Sequence, residues 1–147
     1  MTTLRLLVFN FPLLPKSIAH WALFLPDEEG STDGVLFEVK KRSYSMAHTM
    51  FSQRKFNYRT SKSDLRANIA IPEMSIGPVK LNQACHAITQ NRPFHLWRRN
   101  CQLWVFEVID YLARSEGFQD GGEILANIMT QGFRPRGYRG SRQRDQT

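Results

Sequence analysis

Residues 100–117 hold the feature that most limits what this chain can become. Asn100 is a good N-cap, because its side-chain oxygen can accept from the exposed N–H groups of a first helical turn. Behind it Cys101, Trp104, Val105, Val108, Ile109 and Leu112 recur at i, i+3, i+4, i+7, i+8 and i+11. That spacing predicts a helix with one apolar stripe, Gln102, Asp110 and Arg114 lying off it and Gly117 supplying a stop. Such a stripe has to be buried against a second layer.

The second layer is supplied by short apolar runs with strand character. Residues 4–9 read as a strand leading to Pro12 and Pro15, and residues 18–25 as a buried strand ended by Pro26. Residues 26–34 are a loop by composition and 35–39 resume a strand, which together predict a hairpin. Residues 40–66 are polar and basic, with Phe51, Phe56 and Tyr58 spaced for one or two further strands. Ile69-Ala70-Ile71 predicts a short strand before Pro72. Residues 80–91 predict a helix that Pro93 prevents from continuing, and 122–129 a short last helix. The expected fold class is α+β, a small antiparallel sheet packed on a Cys-bearing helix.

With 147 residues, 41% of them apolar, the chain suits one domain with a real core. A domain of this size buries roughly 68–70% of its unfolded surface. Wholesale disorder is excluded by the apolar content. The net charge of +7 is uneven. Arg134, Arg136, Arg139, Arg142 and Arg144 against Asp145 put +4 in the last stretch, and the body keeps +3. The expected organisation is a single domain over residues 1–131 and a disordered Arg/Gly-rich tail over 132–147.

Cys85 and Cys101 are the only cysteines. Two are too few for a disulfide framework or a Cys-rich zinc site, and the usage fits a reducing, cytoplasmic setting. No run approaches the ~20 apolar residues of a spanning helix. The apolar stretch 4–14 is interrupted by Asn10 and Pro12 and lacks a signal-peptide cleavage pattern. No His/Asp/Glu/Cys spacing matches a metal motif, so neither a metal nor a cofactor is expected.

Cys101 stands where a nucleophilic thiol would stand. The first turn of a helix carries free N–H groups and partial positive charge, which favour thiolate. A nucleophile also needs a base in reach, and His20 opens the strand that runs to Leu25. Glu38 is an acidic residue inside an apolar strand. In an unbulged hairpin Glu38 falls near the pairing position of His20 and shares its face, where it can orient the imidazole. Plainer readings stand beside these: Cys101 as a buried core thiol, His20 at a strand edge, Glu38 on a solvated sheet face. Cys85 reads as core, and His48, His86 and His95 as surface or packing residues. Trp21, Trp97 and Trp104 read as core aromatics. Trp21 beside His20, and Trp97 ahead of Arg98-Arg99, are also candidates for lining a substrate groove.

His20-Trp21-Ala22-Leu23-Phe24, followed by Asn100-Cys101-Gln102-x-Trp104, resembles the permuted branch of the NlpC/P60 papain-like superfamily. There the His-bearing strand precedes the Cys-bearing helix. Lecithin:retinol acyltransferase-like proteins carry an H-W-A strand and an N-C-E-x-F helix. Small fungal proteins of unassigned activity carry H-W-A-L-F, then G-x-L-x-H-V, then C-Q-x-W. The resemblance covers about residues 18–115. It implies a permuted papain-like fold with Cys101 as nucleophile and His20 as general base. In Gly34-Val35-Leu36-Phe37-Glu38-Val39, Glu38 stands where those relatives have a second His, and Gln102 replaces the acyltransferase Glu.

The expected function is therefore a cysteine-dependent acyl hydrolase or acyltransferase acting on a small-molecule or peptide substrate through a thioester intermediate. The alternative is an inactive papain-like binding module whose basic tail contacts nucleic acid or an acidic partner. In that case Arg neutralises phosphate and Phe133 or Tyr138 stacks on bases.

Overall fold

The computed structural model of the chain describes residues 1–10, 19–41, 49–90, 100–117, 121–136 and 138. Five strands come first: β1 (Thr2–Phe9), β2 (His20–Pro26), β3 (Asp33–Lys41), β4 (Thr49–Asn57) and β5 (Leu65–Ile76). Three helices follow: α1 (Pro78–Thr89), α2 (Cys101–Ser115) and α3 (Gly121–Thr130). The architecture is α+β, as the periodicities predict.

The strands form one antiparallel sheet in the order β4-β3-β2-β1-β5. The two most continuously apolar segments, β1 and β2, are interior strands. A strand covered on both faces needs apolar residues at every position rather than at alternate ones. On one face Leu6, Val8, Trp21, Leu23, Leu25, Phe37 and Val39 join the helices in the main core. On the other, Leu7, Phe9, Ala22, Phe24, Leu36 and Phe56 make a smaller cluster with Tyr58 and Leu65 packed against it.

The β2–β3 hairpin pairs Leu23 with Phe37, Phe24 with Leu36, Leu25 with Val35 and Pro26 with Gly34. Its loop is shorter than composition suggests, because Pro26 and Asp33 still belong to strands; Asp27 N–H donates to Asp33 O at 2.9 Å. Gly34 is required here: a Cβ would sit 2.3 Å from the Leu25 carbonyl oxygen and 2.7 Å from the Phe24 ring.

Among the described residues the polar stretch 40–66 holds one complete strand, β4, within the one or two expected, and Tyr58 lies just beyond it. Two expectations are corrected. The strand expected to end before Pro72 runs on to Ile76. Its pairing with β1 slips between Arg5↔Ala70 and Thr3↔Ser75, a bulge in which Glu73 adopts φ 61°. Since β5 is an edge strand, the N–H that Pro72 lacks leaves no ladder partner unsatisfied. Helix α1 starts at Pro78, where a missing N–H and fixed φ suit the first turn.

Helix α2 begins where predicted. Asn100 Oδ1 accepts the Leu103 N–H at 3.0 Å. The helix is buried over a wider arc than its stripe, because α1 and α3 flank it while the sheet lies beneath. Gln102, expected off the stripe, is 2% exposed, and Phe106 is buried too.

The segment expected to be disordered from Gly132 starts as a docked one. Phe133 meets Trp21 edge-on at 6.4 Å, Pro135 is buried, and Tyr138 meets Phe106 at 5.6 Å. The absence of apolar periodicity reflects an irregular backbone here. Residues 139–147 lie outside the described residues.

Candidate active site

Cys101 enters the site from the first turn of α2 and His20 from the first position of β2. Glu38 enters from β3. The hairpin pairing ends at Leu23 opposite Phe37; counted one step further, Glu38 falls opposite Ala22, so His20 is its diagonal neighbour, two residues along. Parity keeps both on the same face, and a diagonal separation is still within reach of long side chains. Glu38 Oε2 lies 2.8 Å from His20 Nε2. Its other oxygen, Oε1, accepts from Arg54 Nε at 3.2 Å.

His20 also hydrogen-bonds Cys101. With Nε2 engaged by Glu38, Nδ1 is the ring nitrogen left for the thiol. Phe9, the cross-strand partner of His20, stacks on the imidazole at 6.2 Å and 27°. The ring is thus held at both nitrogens and on one face.

The electrostatics follow from these partners. Burial by itself would lower the His20 pKa, but the hydrogen bonds and charges of Cys101 and Glu38 outweigh it and raise it from 6.5 to about 9. Burial would raise the Cys101 thiol. The hydrogen bond and charge of His20, the Trp21 backbone N–H and the charge of Arg136 together hold it below its ordinary value. Burial also opposes ionisation of Glu38, and His20 and Arg54 reverse that, leaving the carboxyl below the usual range. The three shifts run in the direction of a thiolate–imidazolium pair with an ionised carboxylate behind it. Cys85 is the internal contrast: it is fully buried, and burial alone pushes its thiol up.

Gln102, next to Cys101 in sequence, ties three segments together. Its Nε2 donates to Ala19 O at 2.9 Å, just before His20, and its Oε1 accepts the Arg136 N–H at 2.6 Å. Asn100 Nδ2 donates to Arg136 O at 3.0 Å. Both neighbours of Cys101 therefore grip the peptide groups of Arg136.

Beside the imidazole is a cleft of about 290 Å³ whose walls include Phe9, His20, Glu38, Arg54, Lys62 and Asp64. It lies on the helix-free side of the sheet. The side chains of His20 and Glu38 are 20% and 11% exposed, and Cys101 is 7% exposed.

The structure thus brings Cys101, His20 and Glu38 together. Trp21, a candidate groove residue, is 3% exposed and packs on Phe106 and Phe133 in the helix-side core. Alternation explains this: Trp21 follows His20 and points to the opposite face. Its backbone, not its indole, serves the site. Trp97, His48 and His95 lie outside the described residues. His86 packs edge-on against Phe51 at 5.0 Å. Among the described residues no cluster of three or more His, Cys, Asp or Glu is arranged to hold a metal. Nor is any described helix long and apolar enough to cross a membrane. Phe133 and Tyr138, the rings expected to be available for stacking on bases, are engaged within the protein.

Sequence reasoning missed Arg54 and Arg136. Arg54 alternates with Ser52 and Phe56 along β4, but only the β3–β4 register sets it beside Glu38. For Arg136 the sequence carries no signal, since a run of Gly and Arg reads as solvated chain.

Fold and site together define an α+β protein in which a helix-borne thiol, a strand-borne imidazole and a carboxylate form one hydrogen-bonded chain. The chain belongs to the DUF6540 family, a family of unknown function, whose model matches residues 7–119. No curated protein and no solved structure is similar enough to be matched with it.

Proposed function

We propose that this protein is a cysteine-dependent acyl-group hydrolase or acyltransferase with a permuted papain-like arrangement. The observation that carries the reading is the single imidazole shared between the Cys101 thiol and the Glu38 carboxylate. The chain order, a His strand followed by a Cys helix, agrees with it.

In this mechanism the Cys101 thiolate attacks the carbonyl carbon of an amide, ester or thioester. The carbonyl π pair moves to oxygen, and the backbone N–H of Cys101, in the first turn of α2, is the donor assigned to that oxyanion in this reading. As the tetrahedral intermediate collapses, the bond to the leaving group breaks and His20 gives it the proton. A thioester to Cys101 remains. Water, or an amine or alcohol, then attacks the thioester while His20 takes its proton, and the thiolate is expelled. Glu38 keeps Nε2–H bound, so Nδ1 faces the sulfur throughout, and it stabilises the imidazolium. Arg54 holds Glu38 in place. An activated thiolate persists where reductants keep it from oxidising, so a cytoplasmic location belongs to this reading.

The test is the rate of alkylation by iodoacetamide from about pH 4 to pH 9, located by peptide mass spectrometry. Cys101 of the intact protein should label well below the ordinary thiol pKa of ~8.5. His20→Ala should slow that labelling by more than about tenfold at neutral pH. Labelling of Cys101 only on unfolding, or with an unshifted pH dependence, would sink the proposal.

A further inference from the structure

The peptide groups of Arg136 are fixed by Asn100 and Gln102, the residues on either side of the nucleophile. Pro135 is buried, Phe133 sits against Trp21 and beneath Arg66, and Tyr138 sits against Phe106. Residues 133–136 are therefore held beside the nucleophile. Arg136, half-buried, lies within electrostatic reach of the sulfur.

The charges converging on Cys101 are unevenly distributed. His20 and Arg136 bring positive charge to the sulfur. Glu38 acts from behind the imidazole, where Arg54 also engages it. The first turn of α2 contains no acidic residue. A reagent that carries negative charge close to its electrophilic carbon meets attraction at this centre, and a half-buried cation is only weakly screened by salt.

We propose that Arg136, presented by docked residues 133–136, makes Cys101 selective for acyl substrates bearing an anionic group, a carboxylate above all, next to the scissile carbonyl. This rests on the Cys101–His20 reading. Arg136 would act as a specificity-determining residue, and the segment that composition assigns to a solvated tail would be part of the substrate site.

Two alkylating agents of nearly equal size test it, one neutral and one a carboxylate: iodoacetamide and iodoacetate. The readout is the ratio of their rates at Cys101, divided by the same ratio for glutathione in the same buffer. The intact protein should favour iodoacetate by roughly tenfold on this scale, and added salt should reduce the preference only slightly. Arg136→Gln should bring the ratio down to that of glutathione, and Arg136→Lys should keep most of the preference. Arg134→Gln removes an equal charge from a side chain that lies over Tyr138, and should leave the ratio unchanged.

A ratio in the intact protein equal to that of glutathione overturns the inference. So does a preference that survives Arg136→Gln, or one lost equally in Arg134→Gln. The ratio is independent of how fast Cys101 reacts. Slow iodoacetamide labelling condemns the catalytic reading, and a flat ratio condemns the role of Arg136. Limited chymotrypsin digestion, which can cut after Phe133 and Tyr138 in every variant, shows whether the segment stays seated. An Arg136→Lys protein that is seated but has no preference also counts against the proposal.

Discussion

Glu38 reaches His20 diagonally across the β2–β3 hairpin, Oε2 to Nε2 at 2.8 Å, and is not its cross-strand partner. The diagonal leaves room for Arg54, which comes from the far side of β3 and binds the other carboxylate oxygen. A carboxylate held at both oxygens has little freedom to rotate, and the imidazole it fixes presents one nitrogen to Cys101.

The pH dependence of activity follows from the two shifted groups. Cys101 ionises below its ordinary range and His20 keeps its proton up to about 9. Turnover of an acyl substrate should rise on an acidic limb set by the thiol and fall on an alkaline limb near 9, as the imidazolium loses the proton needed by the leaving group. A profile centred instead on an unperturbed histidine would contradict the pairing.

Glu38→Gln keeps the shape of the side chain and removes its charge. His20 then loses one of the interactions that raise its pKa, so the alkaline limb should move to lower pH. Turnover should fall by about one to three orders of magnitude. Arg54→Gln should produce the same change of profile in weaker form, because it acts only through Glu38.

Stability should respond to acid through the same carboxylate. The folded-state pKa of Glu38 is depressed below 4.5. Its contribution is therefore present above the unfolded-state value and lost as the pH falls through the folded-state value. Melting curves of the intact protein should drop over that acidic window, and those of Glu38→Gln should drop less.

Thiol counting separates the two cysteines. Cys85 is fully buried and its thiol is pushed up, whereas Cys101 is paired with His20. A thiol reagent at neutral pH should label one cysteine in the native protein and two after denaturation. Cys85→Ala should leave the native count at one.

Gln102→Leu keeps side-chain bulk but orphans the Ala19 carbonyl and the Arg136 N–H. Each lost hydrogen bond within the fold costs about 1–3 kcal/mol where the partner stays buried. Melting should fall by that order, and trypsin cleavage after Arg136 should accelerate. Asn100→Asp separates the two jobs of Asn100. It retains the acceptor for the Leu103 N–H and loses the donor to Arg136 O, so it should loosen the 133–138 segment more than it destabilises α2.

What the sequence determined by itself was the local grammar: the cap at Asn100, the stripe behind it, the alternation of β2 and the parity that keeps His20 and Glu38 on one face. Capping and periodicity depend on residues a few positions apart, so they can be read without the fold. The tertiary structure decided the rest. The register that makes Glu38 a diagonal partner, the β4 pairing that adds Arg54, the burial of the Trp21 indole and the continuation of β5 past Pro72 depend on which distant segments meet. The seating of Arg136 depends on the buried amide groups of Asn100 and Gln102, each of which takes one of its partners from the Arg136 backbone.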